Sequence, residues 1–194
     1  MDSVQPNLAP PEKLVIITGP SGVGKGTVCR QLLPVLPSLQ FCVSATTRAM
    51  REGEVDGADY HFLSEQDFQA RIDGEAFLEW AQYATSYYGT LKSEITRMQA
   101  LDKIPLLEID TQGALQVKSK VPDAMLIFIT PPTFDALKER LIGRGTNTPE
   151  DIQRRLQIAE AEMKKASQFD VVIENDNLVD TVMNVAKAIE NYLC

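Results

Sequence analysis

Leu14-Val15-Ile16-Ile17-Thr18-Gly19-Pro20-Ser21-Gly22-Val23-Gly24-Lys25-Gly26-Thr27 is the stretch that decides the fold. Its first five residues are an unbroken apolar, β-branched run, the pattern of a strand buried on both faces of a parallel sheet. A glycine-rich turn follows. The helix after it is expected from Lys25 to about Leu36, where Pro34 and Pro37 blur its end. The turn has the spacing G-x-x-x-x-G-K. Glycines at these positions let the backbone curl, so that successive N–H groups aim at phosphate oxygens. The helix N-terminus adds a favourable dipole, and Lys25 adds a point charge.

Gly19, Ser21, Gly22, Gly24, Lys25, Gly26 and Thr27 are therefore candidate phosphate ligands. Most loops of this kind place a Ser or Thr directly after the lysine to reach Mg²⁺. Here that residue is Gly26, and Thr27 comes one position later. Adenylate-kinase-like loops also read G-K-G-T, so nucleotide binding is still expected. Direct Mg²⁺ coordination falls to Thr27 or to an acid elsewhere.

Further along, Phe41–Ser44, Ile104–Asp110, Ala124–Thr130 and Asp170–Glu174 read as strands. Helix patterns lie at Ser93–Ala100, from Thr133 to about Ile142, from Thr148-Pro149 to about Ala166, and over Leu178–Leu193. Strands alternating with helices indicate an α/β fold, a parallel sheet flanked by helices. Two segments look appended, 45–90 and 135–165. The first is rich in Gly and aromatic residues and starts a helix at Ser64. Glu108 and Asp110, at i and i+2 of an expected strand end, would face one site.

Composition narrows the function. A chain of 194 residues is one domain. Its apolar runs fall short of a membrane span. Residues 1–13 have neither a basic nor an apolar signal region and are expected to be a flexible tail, so the expected location is cytoplasmic. Three cysteines without metal-ligand spacing read as free thiols, and the lone His61 leaves no histidine cluster. The net charge of −8 speaks against nucleic acid or anionic membrane as partner. Yet six of the nine arginines sit in two short windows, Arg48 and Arg51, then Arg140, Arg144, Arg154 and Arg155. Such grouping of fork-shaped cations in an acidic chain suits a compact anion.

Ordered motifs then point to a family. Val43-Ser44-Ala45-Thr46-Thr47-Arg48, Arg51-Glu52-Gly53-Glu54, Tyr60-His61-Phe62, Phe77-Leu78-Glu79-Trp80-Ala81 and Tyr87-Tyr88-Gly89-Thr90 closely resemble guanylate kinases. So do Ile109-Asp110-Thr111-Gln112-Gly113-Ala114, Ile127–Pro132, Arg140–Gly145, Arg154-Arg155-Leu156 and Asn175-Asp176.

The resemblance implies a P-loop nucleoside monophosphate kinase fold. Its core would comprise residues 14–44, 91–134 and 166–194, with a mixed α/β GMP-binding insertion at 45–90 and a helical lid at 135–165. It implies transfer of the ATP γ-phosphoryl group to GMP with Mg²⁺, and ATP and GMP as small-molecule partners. Arg48, Arg51, Tyr60 and Tyr88 would grip the GMP phosphate. Ser44, Glu79, Thr90 and Asp110 would face guanine. Arg140, Arg144 and Arg155 would serve the transferring phosphoryl group, Asn175 would join the ATP site, and Thr27 or Glu108 would meet the metal. Arg140 and Arg144, at i and i+4, would share a helix face.

Several neighbours carry plainer expectations. Tyr87, Phe77 and Trp80 are expected to pack, His61 to lie on an exposed strand, and Arg154 to pair with Glu139 or Glu150. Departures from the family pattern are Ser86 in place of Asn, Ala49-Met50 before Arg51, and Glu108 where Asp is commoner. Two rivals remain at the level of sequence: a kinase for another base, and a non-catalytic guanylate-kinase-like binding module. The intact Lys25 and arginines disfavour the module, and Glu79 with Ser44 disfavours adenine. Oligomeric state is left open.

Overall fold

The structure is a computed structural model that describes residues 13–83, 85–143 and 148–194. Residues 1–12 of the expected tail, and Arg144, lie outside the described residues.

The elements are, in chain order, β1 (Val15–Thr18), α1 (Lys25–Leu32), β2 (Leu39–Phe41), β3 (Ala45–Thr46), β4 (His61–Phe62), α2 (Glu65–Asp73), β5 (Phe77–Tyr83) and β6 (Ser86–Leu91). Then come α3 (Lys92–Ala100), β7 (Ile104–Glu108), α4 (Thr111–Lys120), β8 (Met125–Thr130), α5 (Phe134–Ile142) and α6 (Pro149–Met163). A 3₁₀ turn (Ala166–Gln168), β9 (Val171–Glu174) and α7 (Leu178–Leu193) complete the chain.

Five strands form a parallel sheet in the order β2-β7-β1-β8-β9. All four residues of β1 are buried, as its apolar run requires. Alternation along Leu14–Ile17 feeds two cores. Val15 and Ile17 pack with α1, α5 and α7 on one face, while Leu14 and Ile16 pack with α3 and α4 on the other. β1 sits at the centre, and the chain turns in opposite directions from it, so a crevice opens at the carboxyl ends of β1 and β7.

A second sheet has the order β4-β3-β6-β5, with β5–β6 and β3–β6 antiparallel and β3–β4 parallel. Its own core is small: Ala45, Phe68 and Phe77, with Leu63, Ile72, Tyr87 and Leu91 packed against them.

Local signals explain the helix starts. Ser64 accepts from the Asp67 N–H, Thr133 from Ala136 and Thr148 from Asp151, the last with Pro149 at the first helical position.

Several expectations need correction. Of the strand expected at Phe41–Ser44 only Phe41 lies in a strand, the end of β2, and residues 42–44 cross between sheets to β3. There the Cys42 N–H goes to Leu106 of the first sheet, and the Ser44 carbonyl accepts from His61 of the second. β7 ends at Glu108, so Asp110 is not a strand residue. It caps α4 by accepting from the Gly113 N–H at 2.7 Å. The helix α4 itself was not expected. α1 stops at Leu32 and α6 at Met163, each about a turn early. Among the described residues no helix is long and apolar enough to cross a membrane.

Candidate active site

The loop between β1 and α1 forms one wall of a cleft of about 490 Å³. Gly24 has φ 100°, and a Cβ there would meet Asn175 Nδ2 at 2.7 Å, so only glycine fits. Asn175 is buried and held at both ends of its amide: its nitrogen donates to the Val23 carbonyl at 2.7 Å, and its oxygen accepts from Thr181 at 3.1 Å. Arg140 donates to the carbonyls of Val23 (3.4 Å) and Asn175 (2.8 Å). These two residues brace the loop from behind.

Lys25 Nζ donates to the carbonyls of Gly19 (2.6 Å) and Pro20 (3.2 Å). Burial lowers its pKa, and Glu108 and Glu162 act in the opposite direction. From α6, Arg155 reaches the loop and donates to Ser21 Oγ at 3.3 Å. Arg155, Ile158 and Glu162 all line the cleft, one helix face at i, i+3 and i+7. Glu162 is tied to α4 by the Thr111 hydroxyl at 3.1 Å, and burial raises its pKa. Glu108 lies beside Gly26, where a Cβ would come within 3.3 Å of its carboxylate. Burial raises the Glu108 pKa, and Lys25 and Arg30 counter that rise.

The facing wall comes from the second sheet. Ser44, Tyr60, Glu79, Tyr88 and Gly89 line it, with Asp110 from the cap of α4. Glu79 is buried, and desolvation pushes its carboxyl up to about 7. Thr90 is its neighbour across the β5–β6 ladder. Glu79 Oε1, Thr90 Oγ1 and Arg155 Nε are buried and have no hydrogen-bond partner among the described residues, as does Thr18 Oγ1. Three of these four orphans belong to residues of the expected site. Buried polar atoms without partners cost about 1–3 kcal/mol each, so their grouping here marks where a ligand is expected.

Gly113 is part of this wall. A Cβ on it would meet Glu79 Oε2 at 2.7 Å, so the helix approaches the carboxylate only because the side chain is absent. Tyr60 and Tyr88 stand edge to face at 6.2 Å between ring centres. Arg48 lies over Tyr60 and Phe62 and holds Glu54 through two hydrogen bonds, at 2.7 and 3.0 Å. Glu54 also accepts from the Arg51 N–H at 2.7 Å, which closes the 48–54 loop.

The guanylate kinase family model matches residues 11–192. The chain belongs to the guanylate kinase family. It is 48% identical over 178 residues to a guanylate kinase of Gloeobacter violaceus, covering 92% of this chain and 87% of that one. It is 44% identical over 180 residues to that of Trichodesmium erythraeum, covering 93% and 97%. The crystal structure of the Anaplasma phagocytophilum guanylate kinase superposes with a TM-score of 0.74 at 27% identity, covering 92% of this chain and 84% of that one.

Within this guanylate kinase fold, the cleft gathers Gly19, Ser21, Gly22, Gly24, Lys25, Gly26, Thr27, Glu108 and Arg155 on one side. Ser44, Tyr60, Glu79, Tyr88 and Asp110 stand on the other. Thr90 is buried behind Glu79. Arg48, Arg51, Arg140 and Asn175 do not line the cleft: Arg48 faces Glu54, Arg51 is exposed, and the other two sit behind the loop.

Phe77 is core and Tyr87 stacks on Phe68, as expected, but Trp80 is 37% exposed. Arg154 pairs with Asp151 at 2.8 Å rather than with Glu139 or Glu150. His61 is half-buried and meets Glu94 at 3.4 Å. Sequence reasoning missed Arg30, Tyr83, Ile158 and Glu162, all of which line the cleft. Ile158 and Glu162 were accessible in principle, since they share the helical face of Arg155. Tyr83 and Arg30 reach the cleft only through tertiary placement.

Proposed function

We propose that this chain transfers the γ-phosphoryl group of ATP to GMP, giving ADP and GDP. The observation that carries the reading is a phosphate loop and a buried carboxylate, Glu79, with its Oε1 left without a hydrogen bond among the described residues, both opening into one cleft of a guanylate kinase fold.

The amides of residues 19–27 and Lys25 would hold the ATP phosphates. Lys25 would exchange its two loop carbonyls for phosphate oxygens, with Asn175 and Arg140 keeping the loop in shape. Arg155 would bring charge to the transferring group, joined by Arg144 as the family resemblance implies. Phosphoryl transfer asks little covalent chemistry of a protein; it needs in-line positioning and cations around the migrating group. A helical lid at 135–165 would exclude water, the competing acceptor.

On the acceptor side, Arg48, Arg51, Tyr60 and Tyr88 would fix the GMP phosphate, with Arg48 oriented for it by Glu54. Ser44, Glu79, Thr90 and Asp110 would read guanine. An ionised Glu79 accepts from guanine N1–H and N2–H₂ together, whereas adenine presents a lone pair at N1 and no 2-amino group. Sites built on such pairing can reject the wrong base by on the order of 10⁴. No general base is required, because the attacking GMP phosphate oxygen is already anionic.

Mg²⁺ fits the donors of the cleft. Thr27 and Glu108 offer hard oxygens near the loop, and no group of three or more acids, His or Cys that could hold a metal occurs among the described residues. That pattern suits an ion shared with nucleotide phosphates and water. When bound, Mg²⁺ would neutralise charge on the phosphates. The proposal places the chain in the cytoplasm, with its substrates.

The test is ADP release from MgATP with GMP, AMP, dGMP and dTMP in parallel. GMP is expected to exceed AMP by about a hundredfold or more. Comparable AMP and GMP rates would refute the role of Glu79. A folded sample that binds GMP without turnover would refute catalysis in favour of a binding module.

A further inference from the structure

Glu94, near the start of α3, lies outside the cleft and belongs to no expected site, yet its carboxylate is among the most heavily used in the molecule. It is buried at 5% exposure. One oxygen accepts from the Val43 N–H at 2.9 Å and from Arg97 Nη2 at 2.9 Å. The other accepts from Arg97 Nε at 3.0 Å and faces His61 Nε2 at 3.4 Å.

The position of these partners matters more than their number. The chain passes between the two sheets twice here. It leaves the first sheet through Cys42-Val43-Ser44, and it returns from β6 directly into α3 at Leu91-Lys92. Glu94 sits on the return crossing and clasps the outward one at Val43. Through His61 it also touches β4, whose His61 N–H donates to the Ser44 carbonyl at 2.9 Å. Ser44, the next residue after Val43, lines the cleft. Its backbone is thus held on both sides by groups that converge on one carboxylate. Arg97 supplies the countercharge, so the buried acid remains ionised and its pKa is lowered despite burial.

We propose that Glu94 is a positioning residue for the GMP subsite: it joins the two crossings between the sheets and so sets where Ser44 stands relative to Glu79 and Tyr60. This rests on the reading of that wall of the cleft as the GMP side. The ATP side does not depend on it, because the loop is braced separately by Asn175 and Arg140.

The predicted signature is a split between substrates. In Glu94→Ala, KM for GMP rises about tenfold, while KM for ATP and kcat stay within about twofold. Two smaller changes separate reach from charge. Glu94→Gln keeps an oxygen at the right distance for the Val43 N–H and holds KM for GMP within about threefold of wild type. Glu94→Asp keeps the charge but is one methylene short, and behaves like the alanine variant. Steady-state kinetics with each substrate varied, on variants whose circular dichroism matches wild type, reads all of this.

The Gln/Asp pair decides the matter even where the alanine variant does not fold. Asp matching wild type while Gln weakens GMP binding would overturn the proposal. Equal losses for both substrates would also overturn it, as the mark of general damage. A wild-type protein with no activity on GMP would instead sink the proposed function on which this inference rests.

Discussion

Glu79, in the role proposed for it, would couple recognition to pH. It is buried, and desolvation pushes its carboxyl up to about 7, with Thr90 and Lys120 only partly opposing the rise. On the proposed reading, guanine donors select the ionised form, so GMP binding would pull the proton off. We expect GMP affinity to fall about tenfold per pH unit below 7 and to level off above it. Glu79→Gln should flatten that profile and cost on the order of 10²-fold in kcat/KM for GMP. Stability moves the other way. A carboxyl whose folded pKa is raised favours the folded state below 4.5, and that contribution is lost as pH rises through 7. The difference amounts to at most about 3 kcal/mol. Thermal unfolding of the free protein at pH 5 and pH 8 should therefore show wild type losing more stability than Glu79→Gln. Parallel curves for the two proteins would exclude an elevated Glu79 pKa.

Helix starts capped by a Ser or Thr hydroxyl were legible from sequence because such a cap is a local event. Ser64, Thr133 and Thr148 each accept from an N–H three residues on, and α7 matches its expected range from Leu178 to Leu193. The helix α4 was not legible. Its first turn carries Thr111, β-branched, and Gly113, which costs a helix about 1 kcal/mol relative to Ala. The same missing side chain that hides the helix makes room for Glu79. Filling it should separate fold from function. Gly113→Ala is expected to unfold within a few degrees of wild type, since helix propensity improves. Its Cβ must displace the Glu79 carboxylate, and kcat/KM for GMP should fall about tenfold or more with KM for ATP unchanged. Fluorescence-monitored melting and substrate titrations check both halves. Unaltered GMP kinetics in a folded variant would mean that the carboxylate position is not critical. The strand expected at Phe41–Ser44 failed for another reason: the chain changes sheet between Phe41 and Ala45, and sequence pattern alone does not mark where that happens.

At the scale of the whole molecule, the two sheets are held by very different amounts of apolar burial. The first is packed on both faces, with β1 and most of β8 inaccessible to water. The second rests on Ala45, Phe68 and Phe77 with a few half-buried neighbours, and its β3 and β4 are two residues each. Loop chemistry and the Arg48 and Arg155 windows could be read from sequence because each is contiguous. The cleft between them could not, because it exists only where β5, β6 and α4 meet the loop. Regions with few buried contacts open at lower free energy than the global unfolding transition. Amide hydrogen exchange should thus be fastest, within the strands, over β3–β6, and slowest over β1 and β8. On the proposed reading GMP would bind mainly to the weaker sheet, so saturating it at about 100 times Kd should slow exchange there by up to the roughly 2.7 kcal/mol that linkage allows. ATP alone should protect the loop and α1 and leave β3–β6 little changed. Protection of both sheets to the same degree by either nucleotide would show instead that they open as one unit, and the acceptor wall would then owe its order to the core rather than to its ligand.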